Sequence, residues 1–528
     1  MVAPKYALTL LTYYLFFCVA VLKAHASDQL TANDMPNNTP SDVAEYIKMT
    51  LSDDILEQII GAKRLGSLGK RATPAIPFLI RLASIHGTPE REDQVEVSKL
   101  YEQSNDFNPF LSGFSDTTTP HLEAALALRA IGEPAFGKLI EILENRNAPK
   151  DERSTATWVF IKCFKPSMKD LFIKIVSDKS EDLDVRIGLV YSLGARDGPI
   201  LLNCYNDILK DESENEALRY AILFEFQDHK MKGLNDKLLN TIRIIFDDKR
   251  VEDRTRARAG EVLAIYADGA TLAYLEKILE DSQGNSEIRK GIAEGVGMNP
   301  SRKAKQIVDT ALSNGESGIR NEVILGMGQS RDPGFEDIII RNADKGDTFS
   351  RICTVQSLYH FASAKTIEKL FSILRDQKGN DEYVLRNVAE FLARLDNAAV
   401  TDRLFEAQSF SDFAHHALLQ HLRKDEHLLE KWIETLENGS LPVEYRRDAV
   451  IAIDVCNNAS EKGPRALAKA SSDEDIVIRQ RISFVQSRIG TDDQIPVLEM
   501  LAKDKDKEVS HQARNAIQKI KEHTKSTQ

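Results

Sequence analysis

The chain has 528 residues and a formal charge of −12, from 69 Lys and Arg against 81 Asp and Glu. One hydrophobic core does not normally support that length, so the chain is either several domains or an array whose core grows along one axis. The negative balance, with no basic stripe, argues against a nucleic-acid partner, because binding phosphates needs clustered Lys and Arg.

Residues 1–26 read as a secretory signal peptide. Lys5 gives a positive start, Ala7–Leu22 is an apolar run, and Ala24-His25-Ala26 puts small residues before Ser27. Removing Lys5 and Lys23 with it takes the charge from −12 to −14. The run is short for a membrane helix, which needs roughly 20 residues. The expected mature chain is therefore periplasmic or extracellular, with no membrane span after cleavage. Retention as an anchor is the alternative. Phe17 is too bulky for the small-residue position before a lipoprotein Cys18. Residues 27–41, polar and rich in Asn and Pro, read as a flexible leader. Residues 523–528 read as a tail.

The first clear unit after the leader is Gln58–Gly69 followed by Ala72–Ile80, with prolines Pro74 and Pro77 opening the second segment. Apolar residues at helical spacing end at glycine, and a second helix starts where a missing N–H matters least. His121–Ala135 followed by Leu139–Leu143 repeats the arrangement. From there an arginine returns about every 33 residues, at Arg153, Arg186, Arg219, Arg256, Arg289, Arg320, Arg351, Arg386, Arg446 and Arg479. The interval of 60 between Arg386 and Arg446 holds two periods, with one weak unit around Ser411–Gly439. A fixed period in this range is the signature of stacked helical hairpins.

Val185-Arg-Ile-Gly-Leu-Val-Tyr-Ser-Leu-Gly194, Ile288–Gly297 and Ile319–Gly328, with the two earlier units, resemble bacterial HEAT repeats, including the phycobilisome-lyase-like subgroup. The resemblance implies an all-α solenoid of about 14 stacked helical hairpins, a HEAT/armadillo-like superhelix, over residues 42–522. It implies nothing specific about activity, because such arrays serve many roles. One HEAT family, the deoxyhypusine hydroxylases, holds di-iron through His-Glu steps; this chain has no His-Glu dipeptide, so that activity does not carry over.

Asp178, Asp211, Asp248 and Asp281 each stand eight residues before an arginine: Arg186, Arg219, Arg256 and Arg289. The pattern looks like the Asp–Arg ladder of HEAT arrays, tying one unit to the next by charge-assisted hydrogen bonds. The competing reading is an arginine stripe for an anionic polymer, whose field the paired acids would cancel. One stretch breaks the period. Residues 84–119 hold an acidic segment and the aromatic sequence Asn105–Phe114, read as an irregular insertion or a degenerate repeat. Its Phe107, Phe110 and Phe114 are the candidate contact residues, since long loops in compact proteins are often functional.

Motifs for chemistry are few. Gly132–Lys138 matches GxxxxGK, but Leu139 follows where magnesium needs Ser or Thr, and the string lies between helices. It is read as the turn inside a hairpin. No two histidines stand four apart, and His415, His416, His421 and His427 are read as helix-surface residues. No metal, cofactor or catalytic residue is assigned. The mature cysteines Cys163, Cys204, Cys353 and Cys456 read as buried thiols, with Cys163–Cys204 the one pair close enough to bridge. The expected function is a noncatalytic protein-binding or scaffold module with an unidentified protein partner, recognised along the second helices. The alternatives are an enzyme with a site dispersed over several repeats, or an accessory subunit of an envelope enzyme.

Overall fold

A computed structural model describes residues 30–85, 95–96, 117–160, 165–194, 199–227, 234–314, 316–395, 397–423, 425–457 and 460–527. The chain divides into two compact units, at Gly326 and Met327.

The first unit begins with α1 (Ser41–Thr50), α2 (Ile55–Leu68) and α3 (Ile76–Ile85). Ahead of α1, in the expected leader, Thr31 and Asp34 close a capping box around a short 3₁₀ turn. Arg81 of α3 donates to the Leu30 carbonyl at 2.5 Å, so this stretch is fastened to the first hairpin. Two-residue strands, β1 (Val95–Glu96) and β2 (Thr117–Thr118), pair antiparallel ahead of α4 (Pro120–Ile131) and α5 (Glu133–Glu144).

Hairpins then follow one another. They are α6 (Lys150–Phe160) with α7 (Lys169–Val176), α8 (Leu183–Leu193) with α9 (Pro199–Lys210), and α10 (Glu216–Glu225) with α11 (Asp236–Asp247). Next come α12 (Asp253–Tyr266) with α13 (Gly269–Glu280), and α14 (Ser286–Met298) with α15 (Arg302–Asn314). The unit division falls inside α16 (Ser317–Ser330).

The local grammar explains the helices. Asp182, Asn215 and Asn285 cap α8, α10 and α14 by accepting from main-chain N–H groups that have no partner within the helix. Gly132 ends α4 at φ +79°, a conformation other residues adopt only with strain, and Pro134 opens α5. Of the GxxxxGK string, read from sequence as a turn, only Gly132 forms the turn; Glu133–Lys138 already belong to α5. The core runs between the two helix layers, with Phe136, Phe160 and Phe172 in contact at 5.7 and 5.4 Å. A Cβ at Gly291 or Gly295 of α14 would run into the backbone of α12 at Ala257 and Glu261, so glycine allows these two helices to approach.

The second unit repeats the plan. It holds α17 (Pro333–Asn342), α18 (Thr348–Leu358) with α19 (Ala364–Arg375), α20 (Glu382–Arg394) with α21 (Ala398–Ala407), and α22 (Asp412–Gln420) with α23 (Glu426–Glu437). It ends with α24 (Val443–Cys456), α25 (Lys462–Lys469), α26 (Ile476–Ile489), α27 (Ile495–Leu501) and α28 (Lys507–Thr527). The last helix continues through the expected tail. Phe335, Phe371, Leu404, Trp432, Ile453 and Ile482 are buried along the core. Apart from the two-residue strands, the described residues form the all-α solenoid expected from the repeat. Among them no helix is long and apolar enough to cross a membrane.

Candidate functional site

The recurrent arginines sit in the first turn or two of the first helix of a hairpin, where a long side chain can reach back over the turn before it. Arg186 Nε donates to the Val176 carbonyl at 2.8 Å, Arg256 Nε to Phe246 at 3.0 Å, and Arg289 Nε to Leu279 at 3.0 Å. Each acceptor lies ten residues upstream, among the last carbonyls of the preceding helix, which lack intrahelical donors. In Arg153, Arg186, Arg289, Arg446 and Arg479 the guanidinium also takes a carboxylate from the next repeat. Arg186 makes a two-pronged contact with Glu214 at 2.9 and 2.7 Å. Arg153 pairs with Glu181 at 2.5 Å, Arg289 with Glu316 at 2.9 Å, Arg446 with Asp473 at 2.5 Å and Arg479 with Asp504 at 2.8 Å. These acids lie 25–28 residues downstream. Arg186 and Glu214 are 3% and 9% exposed, so the pair is sealed from water. Burial pushes the Glu214 carboxyl up, but the hydrogen bonds from Arg186 and the Asn215 N–H outweigh it and hold the group below its ordinary value.

The upstream aspartates are placed differently from the expected ladder. Asp178 accepts from Ser180 and from Arg146, not from the Arg186 side chain. Asp211 accepts from Ser213 and pairs with Lys179, whose hydrogen bond is the main reason its carboxyl falls to about 2. Arg219 reaches this residue only through the Asp211 main-chain carbonyl. Asp248 pairs with Arg250, which holds its carboxyl at about 2, while Arg256 takes Asp253 at 3.1 Å. Asp281 accepts from the Gln283 N–H at 3.1 Å, and Arg289 takes Glu316. The aspartates close the turn that ends each hairpin, because an Asp side chain is the right length to accept from the N–H two residues on. Arg153, Arg186, Arg289, Arg446 and Arg479 pass over that turn and find an acid one repeat later, whereas Arg219 and Arg256 pair with Glu216 and Asp253 at the start of their own helices. Glu181 and Glu214, themselves 33 residues apart, were the visible signal for this.

Phe107, Phe110 and Phe114 lie outside the described residues, as does Cys163. Cys353 and Cys456 are buried thiols, while Cys204 is partly exposed with its sulfur 3.2 Å from Ser177 Oγ. The histidines do not share one setting. His416 is exposed, but His415 is 3% exposed, against the expectation of a surface residue. It stacks on Tyr445 at 3.7 Å and 7°, because α22 and α24 pack with its ring between them. His427 lies 3.0 Å from Asp402, and burial with Arg394 and Arg423 pushes the half-buried His421 down to about 4. Among the described residues no group of His, Cys, Asp and Glu is placed to hold a metal ion.

A polar and aromatic face that periodicity did not reveal lies on α8, α10, α12 and α14. Tyr191 meets Phe224 edge-on at 6.2 Å. The Arg254 guanidinium lies 4.5 Å from the Tyr220 ring, and that of Arg258 lies 5.6 Å from Tyr220 and 5.1 Å from Phe224. Arg258 donates to Tyr220 Oη at 3.2 Å and to Glu261 at 2.5 Å. Glu261 is 2% exposed beneath the close α12–α14 approach. Burial drives its carboxyl up, the Arg258 charge opposes this, and Glu294 and Glu322 add to the rise. Gln227 donates to Glu294 at 3.3 Å. Arg254 is exposed at the edge of this set, so it presents a cation on an aromatic support. The string Arg254-Thr-Arg-Ala-Arg258, with three arginines in five residues, was its trace in the sequence. The second helices also carry such stacks, Arg243 on Tyr274 at 3.6 Å and Arg403 on Phe371 at 3.9 Å, each joining neighbouring repeats.

No family model and no curated protein matches the chain. Among solved structures, importin beta is similar over 91% of this chain and 69% of that one, with 12% identity and a TM-score of 0.40. A karyopherin solved bound to a SUMO protease covers 91% of this chain and 62% of its own, at 10% identity and a TM-score of 0.42. Human deoxyhypusine hydroxylase is similar over 61% of this chain and 96% of its own, at 16% identity and a TM-score of 0.21. These are likenesses of helical architecture at low identity. The solenoid assignment stands on the hairpins and joints described above.

Proposed function

We propose that the chain is a noncatalytic protein-binding or scaffold solenoid, built of bacterial-type HEAT repeats. The reading places it in the periplasm or outside the cell after loss of residues 1–26. The observation that carries the binding role is the exposed Arg254, seated on the buried Tyr220 ring beside the partly exposed Tyr191 and Phe224. The Tyr220 ring holds the Arg254 guanidinium in place. Arg and Tyr on a pre-ordered surface are the side chains that most often anchor protein interfaces, since they lose little conformational freedom on contact. The acidic chain and the pairing of its arginines disfavour a nucleic acid on the same face.

The test is quantitative capture from the native envelope fraction and culture medium, with wild type and Arg254→Glu compared. A partner retained in fixed proportion by wild type and lost by the variant, with the melting curve unchanged, supports the reading. An identical captured set with both proteins contradicts it for this face. N-terminal sequencing of the exported chain checks the leader, with Ser27 as the expected first residue.

A further inference from the structure

The seam between α22 and α24 lacks an arginine. Phe413 stands 33 residues before Arg446, where the period calls for one. The links across it run backwards instead: Tyr445 Oη donates to Asp412 at 2.5 Å, and His415 Nε2 lies 3.3 Å from Asp448. At nine residues α22 is short, against 13 in α20 and 14 in α24. Its N-cap Ser411 makes no side-chain cap bond, whereas Asp381 caps α20 through the Tyr383 N–H at 2.9 Å. Among the described residues, both amide atoms of Gln408, Ser411 Oγ, His415 Nδ1 and Trp432 Nε1 are buried with no hydrogen-bond partner. Gln408, Ser411 and His415 are each 3% exposed and Trp432 is fully buried. Each such atom loses its water without a replacement, which weakens the packed state relative to the open one.

We infer that α21 and α22 form a built-in weak point, a segment that opens locally while the longer helices α20 and α24 on either side stay folded. An unused cap at Ser411 and unpaired buried atoms at Gln408, Ser411 and His415 fall together on the α21–α22 connection and α22, and local opening begins where such losses coincide. The resisting element is Trp432 of α23, whose indole meets Phe405 of α21 at 5.1 Å and His415 of α22 at 5.7 Å. The segment thus opens as a flap hinged on the α23 side, giving the array a compliant repeat between stiffer ones, whatever its partner.

Hydrogen exchange of the full chain, followed by mass spectrometry, tests this. Peptides of α21 and α22 are expected to exchange roughly tenfold faster than those of α20 and α24. Gln408→Met, which removes two unpaired atoms at similar length, should slow exchange in α21 and α22 about fivefold and leave α26 unchanged. Asp381→Ala removes a used cap and should speed exchange in α20 by about fivefold, while Ser411→Ala should not speed α22. Equal protection across α20–α24 overturns the inference. So does a Ser411→Ala acceleration as large as that of Asp381→Ala, or a Gln408→Met variant that folds with unchanged exchange in α21 and α22.

Discussion

At the joint between α8 and α10, Arg186 uses its Nε on the last carbonyls of α7 and both terminal nitrogens on Glu214, with both charges buried. At the equivalent place between α22 and α24 a phenylalanine stands in for the arginine, and a stacked histidine and a tyrosine–aspartate bond span the gap. The two places share helix order and core packing. They differ in whether the polar groups buried by stacking find partners. Stacking apolar faces makes a solenoid; the satisfied charges decide which of its joints are stiff.

The sharpest way to break this contrast is Arg186→Ala. It leaves Glu214 buried without its cation, and removing one member of a buried pair costs about 3–5 kcal/mol. Exchange and denaturant unfolding of the first unit should show the loss. Replacing both residues, as Arg186→Met with Glu214→Leu, should recover most of it, because two apolar groups leave no charge uncompensated. Gly295→Ala should follow at about 1–3 kcal/mol, since its Cβ meets the α12 backbone and the helices must part. At the seam, His415→Phe should change stability by less than about 1 kcal/mol, because the ring stack survives and Asp448 keeps Arg481 at 2.9 Å. A His415→Phe loss as large as that of Arg186→Ala would erase the distinction between the two joints.

A further contrast is in pH. Burial, Arg394 and Arg423 depress His421 to about 4, while an unfolded histidine titrates near 6.5. Between those values the unfolded chain binds the proton and the folded chain does not, so stability contributed above 6.5 is lost as pH falls toward 4. Unfolding midpoints of wild type and His421→Gln should diverge in that window, with the wild type more acid-sensitive. Parallel curves would show that His421 is solvated.

The hairpins, their glycine turns and their order along the chain were legible because a 33-residue period and helical spacing of apolar residues are one-dimensional patterns. The arginine's partner was not. Relative to Arg186, acids stand at both Asp178 and Glu214, and spacing alone cannot say which the guanidinium reaches. Geometry decides it: the Asp178 side chain is committed to its own turn and to Arg146, and Glu214 arrives from the next repeat. The buried setting of His415 was hidden for the same reason, since its cover comes from Tyr445, 30 residues later. The Tyr220–Arg254–Arg258 face shows in the sequence only as three crowded arginines.

The central claim, that Arg186 and the arginines placed like it lock to an acid of the following repeat and not to the aspartate upstream, is tested most directly by two double-mutant cycles sharing Arg186→Ala. Paired with Glu214→Ala, the predicted coupling is on the order of 2–3 kcal/mol, as for contacting charges in one network. Paired with Asp178→Ala, it is predicted to be within about 0.5 kcal/mol of zero, as for groups that share no partner. Strong coupling to Asp178 with none to Glu214 would contradict the account and restore the Asp178–Arg186 ladder expected from the spacing.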